Sequence, residues 1–199
     1  MGNFDTFIEA VKKYAEVYKQ FEDIQKDKTF DFVPKTGDQK TGLIGEAYIF
    51  EYLKRQGYPD IEFGGPSQKG WDIRYPFDLA IGREVLVQVK TVSAYSKTRA
   101  ISPIHLPSSG YWELFLVSLN GQFIPDNIWR PTVTAYDTEV ITGTRMPKND
   151  QDFASGFTEI ENVFEHFKSL FPELYSAKAK TSAKPKAAAK LTKEVKKKG

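Results

Sequence analysis

Asp78, Gln88 and Lys90 fall in one short stretch, PFDLAIGREVLVQVKT (76–91), and their types are chemically complementary. A carboxylate and an amide oxygen can share a hard cation. An ammonium beside them can stabilise negative charge that grows on a bound group. A fourth acid, Glu46 in GLIGEAYIFEYLKR, sits near the start of a helical pattern and shares a side with Ile49, Phe50 and Leu53. The chain has no Cys and two His, His105 and His166. Disulfides, thiolate metal sites and a cysteine nucleophile are therefore excluded, and a zinc site built on histidine is disfavoured. Any metal used here should be a hard cation held by oxygen.

The spacing predicts how three of these residues meet. In WDIRYPFDLAI, positions 71, 73, 75, 77, 79 and 81 are all apolar, while Asp72, Arg74, Pro76, Asp78 and Ala80 take the other face. In VLVQVKT, Val85, Val87 and Val89 alternate with Leu86, Gln88 and Lys90. Period two over this length predicts two strands joined as a hairpin, with Pro76 marking a kink or an edge. With Gly82, Arg83 and Glu84 as the loop, Ile81 pairs with Val85 and Asp78 lies opposite Gln88, about 5 Å away at Cβ. Lys90 follows on that face. A two-residue loop would put Asp78 on the opposite face, so the arrangement depends on register. Asp72 has the same parity as Asp78 and is the alternative metal ligand. It lies about 20 Å along an extended strand from Asp78, and the hairpin register favours Asp78.

Around this hairpin the pattern predicts a helix over 3–27 and a loop over 33–42. A second helix is expected over 43–55, stopping at Gly57, then a short strand at 60–63 and a loop over 64–70. A loop over 93–110 carries Lys97, Arg99 and His105, and its two cations suit phosphate contacts. Strands follow at 111–119, within 123–136 and near 138–142. A closing helix over 158–171 is expected to be capped by Thr158 and Glu161 and to end at Pro172. Phe4, Phe7, Tyr14, Phe21, Trp112, Phe115, Trp129, Phe164 and Phe167 are expected in the core. The order predicts one mixed α/β domain over 1–175, a central mixed sheet with a β-hairpin flanked by helices, with 1–40 as an N-terminal helical extension. The closing segment, SAKAKTSAKPKAAAKLTKEVKKKG (176–199), holds nine of the 28 Lys+Arg and one of the 26 Asp+Glu, a net of +8. The remaining 175 residues hold 19 basic and 25 acidic side chains, a net of −6. So lysine-rich and poor in large apolar groups, the tail is expected to be disordered and to contact polyanions.

Glu46, Asp78 and the QVK of Gln88 to Lys90 resemble the PD-(D/E)xK nuclease superfamily, in its QxK variant. That family shows a glutamate on an early helix, an aspartate opening a hairpin and (E/Q)xK on the next strand. The resemblance covers 43 to about 92, with the 111–119 strand fitting the next core strand. It departs from the family in lacking a Pro-Asp pair, since Phe77 precedes Asp78, and in reading as a loop where the family usually places a helix. It implies a restriction-endonuclease-like fold and a Mg²⁺-dependent DNA endonuclease, with restriction as the favoured type and Mn²⁺ able to substitute. Asp78, Gln88 and Glu46 would hold the metal and Lys90 would assist the attacking water. Lys97 and Arg99 would contact DNA. A homodimer is expected, because cutting both strands usually takes two active sites. Neither a small-molecule cofactor nor a membrane is implied, and the expected setting is cytoplasmic, prokaryotic or of viral or phage type. The alternatives are a DNA-binding protein of the same fold without catalysis, and a junction-resolving or homing nuclease.

Overall fold

The computed structural model of the 199-residue chain describes residues 3–25, 39–58, 60–64, 70–78, 83–96, 98–105, 111–132, 140–147 and 159–176. Its first two elements are helices, α1 (Asn3–Gln25) and α2 (Gln39–Arg55). Apolar residues on one side of each, among them Ile8, Val11 and Ala15 on α1 and Ile44, Tyr48, Ile49, Tyr52 and Leu53 on α2, are buried together. Burial of such a stripe is what makes an amphipathic helix stable in a folded chain. Past α2 the backbone turns at Gly57, whose φ of +90° suits a residue without Cβ.

The strands are β1 (Glu62–Phe63), β2 (Ile73–Asp78), β3 (Arg83–Ser93), β4 (Ile104–His105), β5 (Tyr111–Leu119), β6 (Pro125–Thr132), β7 (Val140–Ile141) and β8 (Glu159–Asn162). Short helices α3 (Phe164–Leu170) and α4 (Pro172–Tyr175) follow. Six strands form one sheet in the order β1-β2-β3-β5-β6-β8, and β4 and β7 form a separate pair. β3 and β5 are parallel, and the other sheet neighbours are antiparallel. The fold is therefore mixed α/β, a mixed sheet flanked by helices. Among the described residues, no helix is long and apolar enough to cross a membrane.

Strand parity divides the interior in two. Val85, Val87 and Val89 of β3 and Phe115, Val117 and Leu119 of β5 face the helices, in a core shared with α1, α2 and α3. Val92, Leu114, Leu116 and Trp129 face the other way, against Ile104 and Met146. On that second face the segment after β3 is strapped to the region around β7. Ile101 N donates to Thr144 O at 3.1 Å, Met146 N donates to Arg99 O at 2.7 Å, and Ala100 bridges Arg145. This strap covers the second face of the sheet, with Ile104 and Met146 packed on it.

Three expectations need correction. Asp78 does not face Gln88: β2 pairs Tyr75 with Val85, Pro76 with Glu84 and Asp78 with Arg83. Val85 thus pairs with Tyr75 in place of the expected Ile81, a register six residues away, and the irregularity between Pro76 and Asp78, where the proline ring removes a ladder donor, changes it by one residue only. The expected 158–171 helix begins later, because Glu159–Asn162 pairs with β6 as a strand. Glu161 serves there as the partner of Arg130, at 2.6 Å, and not as a helix cap; Thr158 lies outside the described residues. Phe21, expected in the core, is 44% exposed, and Phe77, on the apolar side of the 71–81 alternation, is 60% exposed. Phe77 instead packs its ring on Tyr111, centroids 4.9 Å apart.

Candidate active site

β3 outruns β2, and this difference makes the site. Antiparallel pairing with β2 ends at Ile73 and Val87, with Asp72 N donating to Val87 O at 2.8 Å. The next β3 donor on that side is Val89 N. It donates to Asp72 Oδ2 at 2.7 Å, so the Asp72 carboxylate takes the place of a further strand residue. Asp72 is thereby held, half-buried, against the stretch of β3 that carries Gln88 and Lys90. The register brings in this acid and leaves Asp78 at the other end of β2, against Arg83.

Gln88 is 4% exposed, on the sheet face covered by β4. Its Nε2 donates to Gly70 O at 2.9 Å and to His105 O at 2.6 Å. Its Oε1 is buried without a hydrogen-bond partner. A buried acceptor left unpaired carries a desolvation cost, and a bound cation would satisfy it. His105 therefore serves the site through its backbone, while its side chain is exposed.

Glu46 enters from the helical side. α2 lies close on β3 because Gly45 meets Thr91: a Cβ at Gly45 would sit 2.0 Å from Thr91 Oγ1. That contact brings the next residue, Glu46, to the edge of the sheet where β2 has ended. The Glu46 side chain leans back over its preceding turn, as helical side chains do, and a Cβ at Gly42 would lie 3.7 Å from its Oε1. Burial pushes the Glu46 carboxyl up to about 7; the nearby Asp72 charge adds to the rise and Lys90 opposes it. Burial also raises Asp72, against the Val89 hydrogen bond and the Lys90 charge. These mutual influences put Glu46, Asp72 and Lys90 in one electrostatic cluster.

Of the residues expected from sequence, Glu46 and Lys90 fall in one cluster with Asp72, and Gln88 precedes Lys90 by two residues on the same face of β3. Arg99 is committed to the strap, its Nε donating to Met146 O at 3.1 Å and its Nη2 to Pro147 O. Lys97 lies outside the described residues, as does the Lys-rich segment beyond Ser176. Gly45, Thr91 and Gly70 were not singled out from sequence. The glycine following a helical turn and directly preceding Glu46 was the one available sign.

Two carboxylates and one amide oxygen suit a hard divalent cation of the Mg²⁺ type, which keeps several waters and takes few protein ligands. Among the described residues there is no group of three or more His, Cys, Asp or Glu that could hold a metal. A metal here would thus depend on Gln88 as well as on Glu46 and Asp72. No protein-family model matches the chain, and a search of curated proteins finds no match.

Proposed function

We propose that this protein is a Mg²⁺-dependent DNA endonuclease of PD-(D/E)xK type, with Glu46, Asp72, Gln88 and Lys90 as its working residues. The observation that carries the reading is the electrostatic cluster of a hydrogen-bonded Asp72, a half-buried Glu46 and the Lys90 ammonium, with the unpartnered Gln88 oxygen two residues before Lys90 on the same strand. A bound Mg²⁺ would polarise the scissile phosphate and make a coordinated water more acidic. Asp72 is oriented by Val89 N–H, which fixes one of its oxygens and leaves the other for the metal. Gln88 offers a neutral oxygen and Glu46 a second carboxylate. Lys90 stabilises the negative charge that builds on the phosphate oxygens as water attacks phosphorus and the bond to the leaving sugar oxygen breaks. The chain acts as a homodimer, one site per strand of the duplex, and restriction is the favoured role over junction resolution or homing.

The test is cleavage of supercoiled plasmid by the full chain with Mg²⁺ or Mn²⁺ and with EDTA. The expected result is nicking or linearisation with metal only, reduced about 100-fold or more in Lys90→Ala. DNA retardation without cutting under every metal condition would replace this reading with a binding protein of the same fold. Cutting by Lys90→Ala at the wild-type rate would remove the site assignment.

A further inference from the structure

Gln88 stands where much of the superfamily pattern has an acid, and its surroundings explain why an acid would not serve. Both partners of its Nε2, the carbonyls of Gly70 and His105, can only accept hydrogen bonds. The amide must therefore turn its NH₂ toward them, which turns Oε1 away from both. A glutamate at this position would set a carboxylate oxygen against two carbonyl oxygens, with no donor between them. Gly70, at φ +92°, and β4 supply this clamp from two different parts of the chain.

We propose that Gln88 is an amide by construction: the Gly70 and His105 carbonyls clamp its NH₂, so its oxygen is presented as a neutral ligand, and the pocket takes a single divalent cation per chain. This rests on the metal-dependent reading above. Among the described residues of the site, Glu46 and Asp72 bring negative charge and Lys90 offsets part of it, which leaves little to hold a second cation at the same place. β4, through a backbone carbonyl, is thus a positioning element for the metal ligand.

Calorimetric titration of the metal-free full chain with Ca²⁺ and with Mg²⁺ tests this, on the wild type and on Gln88→Glu. The expected result is one site per chain, with Gln88→Glu binding at least about tenfold more weakly despite its added charge. Two sites per chain, or a Gln88→Glu variant that binds as tightly as wild type or more so, would overturn the proposal. If Gln88→Glu does not fold, the wild type still decides the clamp by ¹⁵N NMR. The Gln88 side-chain NH₂ should exchange with water at least about tenfold more slowly than that of an exposed glutamine, and exchange at the exposed rate would overturn the clamp. Absence of any cation binding by the wild type would instead overturn the function proposed above and the single-cation part of this proposal, while the NH₂ exchange would still report on the clamp.

Discussion

At the scale of single residues, the position of Glu46 has consequences that pH can expose. Its carboxyl is raised to about 7, first by burial, then by the neighbouring Asp72 charge, with Lys90 pulling the other way. Below that value Glu46 holds its proton and is a poor metal ligand. Mg²⁺ affinity should therefore weaken as pH falls through about 7, approaching tenfold per unit well below it. In the metal-free protein the sign is opposite for stability. The folded state keeps a proton that the unfolded chain gives up near 4.5, so the contribution of Glu46 to folding stability is fully present below about 4.5 and is lost as pH rises toward about 7. Thermal melts in EDTA across this range should show that decline, and Glu46→Gln should flatten it. Of the four working residues, Gln88 and Lys90 were legible because strand alternation alone puts them on one face. Glu46 was legible by type and place on its helix. Asp72 was only an alternative to Asp78, because the choice between them rests on the hairpin register: Val85 pairs with Tyr75 and not with the expected Ile81, a six-residue difference that strand alternation alone does not encode.

At the scale of elements, the contact of α2 with β3 is the joint that holds the site together. Gly45→Ala would force a methyl to within 2.0 Å of Thr91 Oγ1 and 2.8 Å of its Cγ2. The helix must back away, at a cost of about 1–3 kcal/mol in stability. Cleavage should fall further than stability alone accounts for, since Glu46 moves with the helix. Adding Thr91→Ala removes both of those side-chain atoms and should recover part of the melting temperature and part of the activity. No recovery would show that Thr91 is not the obstacle. Strand β3 and helix α2 were readable from periodicity, because each carries a buried stripe of nearly the right period, and β5 was readable as an apolar run buried on both faces. The segment Glu159–Asn162 was not. EIEN fits the first turn of an amphipathic helix as well as it fits an edge strand, and only the presence of β6 alongside, with Arg130 facing Glu161, decides it.

At the scale of the whole molecule, a mixed sheet flanked by helices was legible from the order of elements, while the strap across the second face was not. Its contacts join residues 99–101 to residues 144–146, a pairing that neither stretch signals by itself. Charge is the other property of the whole chain. A body of net −6 and a terminal segment of net +8 should divide the labour, the segment contributing affinity for DNA and the body the chemistry. Removing residues 176–199 should weaken DNA retardation and lower the slope of log affinity against log salt, by on the order of five. Cutting at saturating DNA and low salt should be unaffected. An unchanged slope would assign DNA contact to the body alone. The central claim is that a metal-dependent cut is made at the end of β2 where Asp72 stands. It is tested most directly by plasmid cleavage in Mg²⁺ with wild type, Asp72→Asn and Asp78→Asn at equal folded concentration. The expected result is cutting by wild type and by Asp78→Asn, and loss of about two orders of magnitude or more in Asp72→Asn; full cutting by Asp72→Asn would contradict it.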